Sequence, residues 1–161
     1  MYALTFLNIA SLSAQTTFEI PQNVELKVKE DYAKYEPAIV QATKWLEETD
    51  LDKETDKRKQ VNSFVVQWIL GCPTINIDIV EQLGKIYGKN EQLLILYMAS
   101  YSSYFIENQS TATKQTAAKA GLRSIMNVYK KGIAITKSKE MEKLIRLTEE
   151  NKLDEYILKK F

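Results

Sequence analysis

Three tyrosines recur at helical spacing in the most apolar stretch of the sequence. Tyr97, Tyr101 and Tyr104 stand at i, i+4 and i+7, so a helix would place them on one face, with Ser100 and Ser103 beside them. Aromatic rings with polar tips are typical of pockets for ring-bearing or sugar ligands. They are equally typical of a core whose hydroxyl groups reach partners near the surface. We favour the core interpretation and keep the ligand-binding face as the hypothesis to test.

A second candidate pair lies earlier in the chain. Asn62 stands between apolar residues, and Arg58 precedes it by one turn on the same side of a predicted helix. A structural hydrogen-bond pair is the ordinary interpretation of this spacing, because buried polar groups need partners. The sharper hypothesis is a clamp that holds a ligand.

Missing residue types exclude several classes of chemistry. The chain has no histidine, which excludes Ser-His-Asp and Cys-His catalysis and the HExxH zinc site. Its one cysteine, Cys72, excludes an intrachain disulfide and a cysteine-rich zinc site, and its position beside an apolar segment favours a half-buried structural thiol. The five glycines match neither a dinucleotide-binding fingerprint nor a phosphate loop. We therefore expect no cofactor and no metal site.

Acidic side chains gather at two predicted helix ends, between lysines. This arrangement favours solvated faces over a pair of carboxylates that could cleave a glycosidic bond. An enzyme built on carboxylates and tyrosines alone would need a buried Asp or Glu with a raised pKa in a cleft. The clusters are Glu47, Glu48, Asp50 and Asp52, and Glu149, Glu150, Asp154 and Glu155.

The charge balance and hydropathy exclude two further partners. The chain carries 22 basic and 21 acidic side chains, so it lacks the basic surface that nucleic-acid binding requires. After residue 15, no stretch approaches the roughly 18 apolar residues of a membrane span. We expect no nucleic-acid partner and no integral membrane segment in the mature chain.

The N-terminus resembles an export signal. Residues 2–14 form an apolar run that ends in small residues, and cleavage after Ala14 would suit a secretory signal peptide. Asn8 interrupts the run and no basic residues precede it, so we interpret residues 1–14 as a truncated signal peptide. The alternative is an N-terminal helix or strand that belongs to the fold. The preferred interpretation predicts an exported protein, periplasmic or secreted.

The rest of the chain predicts an extended arm followed by helices. Residues 15–30 alternate polar and apolar side chains, which indicates an extended segment lying along the helical body. From residue 31 to residue 161, apolar side chains recur every three or four positions, as in one helical domain. The predicted fold is all-α: an irregular bundle of five to seven helices with an extended N-terminal arm.

The helix boundaries follow from breakers and caps. Pro37 is expected either to kink the first helix or to start a second one, and Asp78 or Asn76 is expected to cap a short third helix. A long C-terminal helix should break near residues 151–152. The predicted ranges are 30–48, 54–71, 79–86, 91–107, 113–135 and 139–160.

Several stretches resemble a group of small exported helical proteins of the Bacteroidetes. They are Glu30-Asp31-Tyr32 to Trp45-Leu46-Glu47, Lys57-Arg58-Lys59-Gln60 to Trp68, Gly71-Cys72-Pro73-Thr74, and Lys152-Leu153-Asp154-Glu155-Tyr156-Ile157. The likeness spans most of the chain after the signal-like segment. It implies an exported helical protein and supplies no catalytic residues to carry over.

Three functional hypotheses remain. The preferred one is a non-catalytic exported helical module that binds a partner protein or a small ligand, with Tyr97, Tyr101, Tyr104, Arg58 and Asn62 as candidate contacts. The alternatives are an enzyme that works without histidine and a structural protein that associates with itself.

Overall fold

A computed structural model describes residues 17–161 of the protein; the predicted signal segment 1–14 and the first two residues of the predicted arm lie outside this range. Within residues 17–161 the chain forms seven α-helices and no strand, which confirms the predicted irregular all-α bundle. None of the helices in this part of the chain combines the length and apolar character needed to cross a membrane. The helices are α1 (Lys29–Glu48), α2 (Thr55–Gly71), α3 (Glu81–Tyr87), α4 (Gln92–Glu107), α5 (Lys114–Lys131), α6 (Lys139–Glu149) and α7 (Leu153–Lys160).

Helix α1 begins where a carboxylate satisfies its free amides. Asp31 Oδ2 accepts hydrogen bonds from the backbone N–H of Lys27 (2.8 Å) and of Val28 (3.0 Å), and these bonds hold the pKa of Asp31 below its usual value. The helix then runs unbroken past Pro37. A proline removes one hydrogen bond to the carbonyl four residues earlier, here that of Ala33. Both Ala33 and Pro37 are exposed, so water can reach this face of the helix.

Two predicted boundaries are wrong. Helix α3 begins at Glu81, two residues later than predicted, with Val80 at the N-cap position and no side-chain hydrogen bond to its free amides. The predicted cap Asp78 forms an ion pair with Lys114 instead, at 2.6 Å between Oδ2 and Nζ. Helix α5 ends four residues earlier than predicted, because Gly132 adopts a left-handed conformation with φ of 70° that stops it. The predicted break of the last helix is confirmed between α6 and α7.

Helix α4 lies at the centre of the bundle, in contact with α1, α2, α3 and α5. Its closest neighbour is α5, where the missing side chain of Gly121 leaves room for the ring of Tyr97. The core around these helices contains the largest fully buried side chains, among them Trp45, Trp68, Tyr97, Leu93 and Leu122. The position of α4 explains why most of its surface is apolar.

The N-terminal arm packs against this body. Residues 17–28 contain no helix or strand, and Phe18 is only 2% exposed, with its ring centroid 6.4 Å from that of Phe64. Further along the arm, Ile20, Val24 and Leu26 are partly buried against the core. Four apolar positions of the predicted arm therefore contact the helices, whereas Val28, just before α1, is 55% exposed.

Candidate functional site

Of the three tyrosines predicted on one helix face, Tyr97 and Tyr101 lie in the core. Tyr97 is fully buried and Tyr101 is 3% exposed, with their ring centroids 6.1 Å apart. The Tyr101 hydroxyl donates to the carbonyl oxygen of Asn76 at 3.3 Å. Burial, with the charge of Asp78 as a smaller cause, raises the pKa of Tyr97 far above its usual value and that of Tyr101 to about 12. Both side chains are therefore parts of the core, and their phenols ionise less readily than that of a free tyrosine.

Tyr104 lies two turns after Tyr97 along the same helix, in a different environment. It is half-buried and lines a cleft between α1, α4 and α5, together with Ser100 and Ser103. The three tyrosines thus lie in two environments. Tyr97 and Tyr101 face the core, and Tyr104 faces the cleft.

Arg58 and Asn62 are not brought to this cleft. The Arg58 guanidinium is buried and donates to the carbonyl oxygens of Leu46, at 3.2 Å, and of Thr49. These groups lie at the C-terminal end of α1, where helix carbonyls lack partners within the helix. Asn62 is half-buried one turn further along α2. Arg58 therefore closes the end of a helix, and desolvation lowers its pKa from the usual value.

The cleft has a volume of about 320 Å³. This is at the lower end of the range of roughly 300–1,000 Å³ that is common for small-molecule sites. Its lining combines small hydroxyl side chains, one aromatic ring and four charged groups. The lining residues are Val40, Thr43, Lys44 and Glu47 of α1, Ser100, Ser103, Tyr104 and Glu107 of α4, and Ala120, Arg123, Ser124 and Asn127 of α5.

Buried hydroxyl groups line the bottom of the cleft. Ser103 Oγ donates to Thr43 Oγ1 at 2.8 Å, and Thr43 Oγ1 donates in turn to the carbonyl oxygen of Ile39 at 2.8 Å. Ser100 is 7% exposed, and its Oγ has no hydrogen-bond partner in the described part of the chain. The donors of Ser103 and Thr43 are thus occupied, while oxygen lone pairs remain.

Glu47 forms a fixed carboxylate at one side of the cleft. Its Oε2 accepts from Ser124 Oγ at 3.0 Å, and its Oε1 accepts from Asn127 Nδ2 at 3.0 Å. Lys131 Nζ donates to the Glu47 backbone carbonyl at 2.8 Å, which ties the same turn of α1 to α5. The carboxylate is half-buried and held by hydrogen bonds to both oxygens, so its orientation is set before any ligand arrives.

The remaining charges stand at the edge of the cleft. Arg123 and Glu107 are exposed, and neither makes an ion pair within residues 17–161. Lys44 makes a long contact of 3.9 Å with Glu48 Oε1, in which both side chains are well exposed. The cleft is therefore lined by two positive and two negative side chains. The positive ones, Lys44 on α1 and Arg123 on α5, are free to reorient.

A larger concavity of about 420 Å³ lies beside the loop that follows α2. Its lining is mainly aliphatic, and it includes Cys72, whose Sγ lies 3.4 Å from Thr74 Oγ1. The polar cleft is the better candidate, because it presents several fixed polar groups converging on one space.

No cluster of three or more histidine, cysteine, aspartate or glutamate side chains suited to a metal ion occurs among residues 17–161. Comparison of the chain with protein families, with curated proteins and with solved structures found no match in any of the three.

Proposed function

We propose that this protein is an exported, non-catalytic helical module that binds a small polar ligand in the cleft between α1, α4 and α5. The observation that carries the proposal is the Glu47 carboxylate at the side of the cleft, whose two oxygens are oriented by hydrogen bonds from Ser124 Oγ and Asn127 Nδ2. Small-molecule sites typically place a few oriented polar groups around one space. The hydroxyl side chains of Ser103 and Thr43 line the same cleft. A small polar ligand would meet these groups already in place.

The burial of charged groups favours binding over catalysis. The enzyme alternative requires a buried carboxylate, but the buried polar side chains of residues 17–161 include no Asp or Glu. Arg58 is the charged member of that set, and its guanidinium is already used at the end of α1. The proposal of export rests on the signal-like residues 2–14 and on the resemblance given above.

The test is to fill the cleft without disturbing the core. Ala120 is half-buried on the cleft wall, so Ala120→Leu should occupy the space that a ligand would take. Ala33→Leu is the matched control, because Ala33 is an exposed alanine of α1 outside the cleft lining. Both variants would be titrated with a panel of amino acids, monosaccharides, polyols and dicarboxylates, and amide chemical shifts would be recorded by NMR.

We expect at least one compound to shift the amides of Ser100, Ser103 and Ser124 in the natural sequence and in Ala33→Leu. The same compound should give no such shifts in Ala120→Leu. If no compound shifts these amides, or if the shifts persist unchanged in Ala120→Leu, the cleft is not a binding site. Shifts confined to the aliphatic concavity near Cys72 would also overturn the proposal.

A further inference from the structure

We infer that the ligand of this cleft is a zwitterion of the α-amino-acid type, with its ammonium group near Glu47 and its carboxylate near Arg123. This inference rests on the proposed function, because it names the class of ligand for the same cleft. It is drawn from the donors and acceptors that the cleft leaves unused and from the balance of its charges.

The buried side of the cleft offers acceptors. Ser103 donates its hydroxyl hydrogen to Thr43, Thr43 donates its own to the backbone, and Ser124 donates to Glu47. Each hydroxyl oxygen keeps at least one free lone pair after these bonds. The Glu47 carboxylate adds a negative charge whose two oxygens are already oriented. An ammonium group suits this surface, because it carries three donors and no acceptor.

The outer edge of the cleft offers donors. Arg123 has no ion-pair partner in the described part of the chain, and Lys44 has only its long contact with Glu48. A guanidinium presents two parallel N–H groups that match the two oxygens of a carboxylate. Both cations lie on exposed faces of the helices that border the cleft, so a carboxylate at the edge can be reached by either.

The charge balance argues against ligands with a single charge. The lining contains Lys44 and Arg123 against Glu47 and Glu107, which sums to zero. The fixed carboxylate of Glu47 would repel a simple anion. A simple cation would be repelled by Arg123 and would offer it no negative group to bind. A neutral polyol would leave both charged groups to be desolvated without an ionic partner. A zwitterion satisfies both ends of the cleft.

The experiment is an NMR titration with small probes of different charge. The L-amino acids with uncharged side chains supply the zwitterions, ethanolamine the cation, glycolate the anion and glycerol the neutral polyol. Arg123→Gln removes the proposed carboxylate partner, and Arg146→Gln is the matched control, because Arg146 is an exposed arginine on α6 outside the cleft. Dissociation constants would be measured from the amide shifts of Ser100, Ser103 and Ser124.

We expect at least one amino acid to bind about tenfold or more tightly than any probe with one charge or none. Its affinity should fall by about tenfold or more in Arg123→Gln and stay unchanged in Arg146→Gln, since a hydrogen-bonded charge is lost only in the first. Amino-acid binding that is indifferent to Arg123→Gln would overturn the inference. If glycerol or a monosaccharide binds the cleft and no amino acid does, the inference fails and the proposed function stands. If no compound binds, both fail.

Discussion

The contact between Gly121 and Tyr97 allows one substitution to be predicted in sign and size. A Cβ atom at position 121 would lie 2.7 Å from Cδ2 of Tyr97 and 2.9 Å from its backbone oxygen. Nonbonded carbon atoms prefer separations of about 3.5–4.0 Å. The Tyr97 ring is fully buried and has Tyr101 and Phe161 as neighbours, and the oxygen belongs to the backbone of α4. Neither group can give way unless α4 and α5 separate.

We therefore expect Gly121→Ala to destabilise the protein, although alanine is the better helix former. The propensity gain in a helix is about 1 kcal/mol, whereas forced overpacking of a core costs about 1–3 kcal/mol and occasionally more. Here the overpacking strains the most extensive helix contact in the bundle, so the cost should exceed the gain. With a cost of about 2–3 kcal/mol, the upper part of that range, against a gain of about 1 kcal/mol, the expected net loss is about 1–2 kcal/mol in the free energy of unfolding.

The control is the same substitution at a helical glycine with open space. A Cβ at Gly84 of α3 would meet only Tyr87 Oη, at an ordinary contact distance of 3.9 Å. Gly84→Ala should therefore stabilise the protein by about 0.5–1 kcal/mol. Urea unfolding followed by far-ultraviolet circular dichroism measures both changes. A Gly121→Ala variant as stable as the natural sequence, or more stable, would refute the packing of α4 on α5 described here.

Two further predictions concern the buried polar groups. Arg58→Met should lower the free energy of unfolding by about 2–3 kcal/mol, because it leaves the carbonyls of Leu46 and Thr49 without their charged donor. The exposed Lys59→Met should change it by less than about 0.5 kcal/mol, and equal effects in chemical denaturation would contradict the role given to Arg58. Burial raises the pKa of Tyr97, so its phenol stabilises the fold below the unfolded-state pKa near 10, and this contribution is lost as the pH rises above that value. The free energy of unfolding of the natural protein should therefore fall between about pH 10 and 12, and Tyr97→Phe should reduce this fall by up to about 1.4 kcal/mol per pH unit. If the free energy of unfolding falls with pH equally in both proteins, the hydroxyl is not buried.

The sequence predicts the helices well because their signals are local. Apolar spacing and breakers place α2 and α4 within a residue of their observed bounds, and the break near residue 151 is where α6 gives way to α7. The two wrong boundaries have different causes. The end of α5 has a local signal, Gly132, which the prediction passed over. Asp78 looks like a helix cap in sequence, but its carboxylate pairs with Lys114, 36 residues later, which no local pattern shows.

The candidate site is harder to predict, because it is assembled from three helices. Ser103 meets Thr43 across 60 residues of sequence, and Ser124 meets Glu47 across 77. No local pattern encodes those distances. One signal is present in the sequence: Ser100 and Ser103 stand beside the tyrosines in an otherwise apolar helix, and both line the cleft. Of the predicted contacts, only Tyr104 lines the cleft.

The last turn of α1 is held from two sides. Arg58 of α2 binds the carbonyls of Leu46 and Thr49, and Lys131 of α5 binds those of Glu47 and Glu48. Helix ends normally fray, because their final carbonyls are free. Here fraying would break contacts to two other helices at once, so we expect the amides near Glu47 to exchange their hydrogens with solvent as slowly as those of the core. The wall of the cleft that carries Glu47 is then a rigid surface, and adjustment to a ligand falls to exposed side chains such as Lys44 and Arg123.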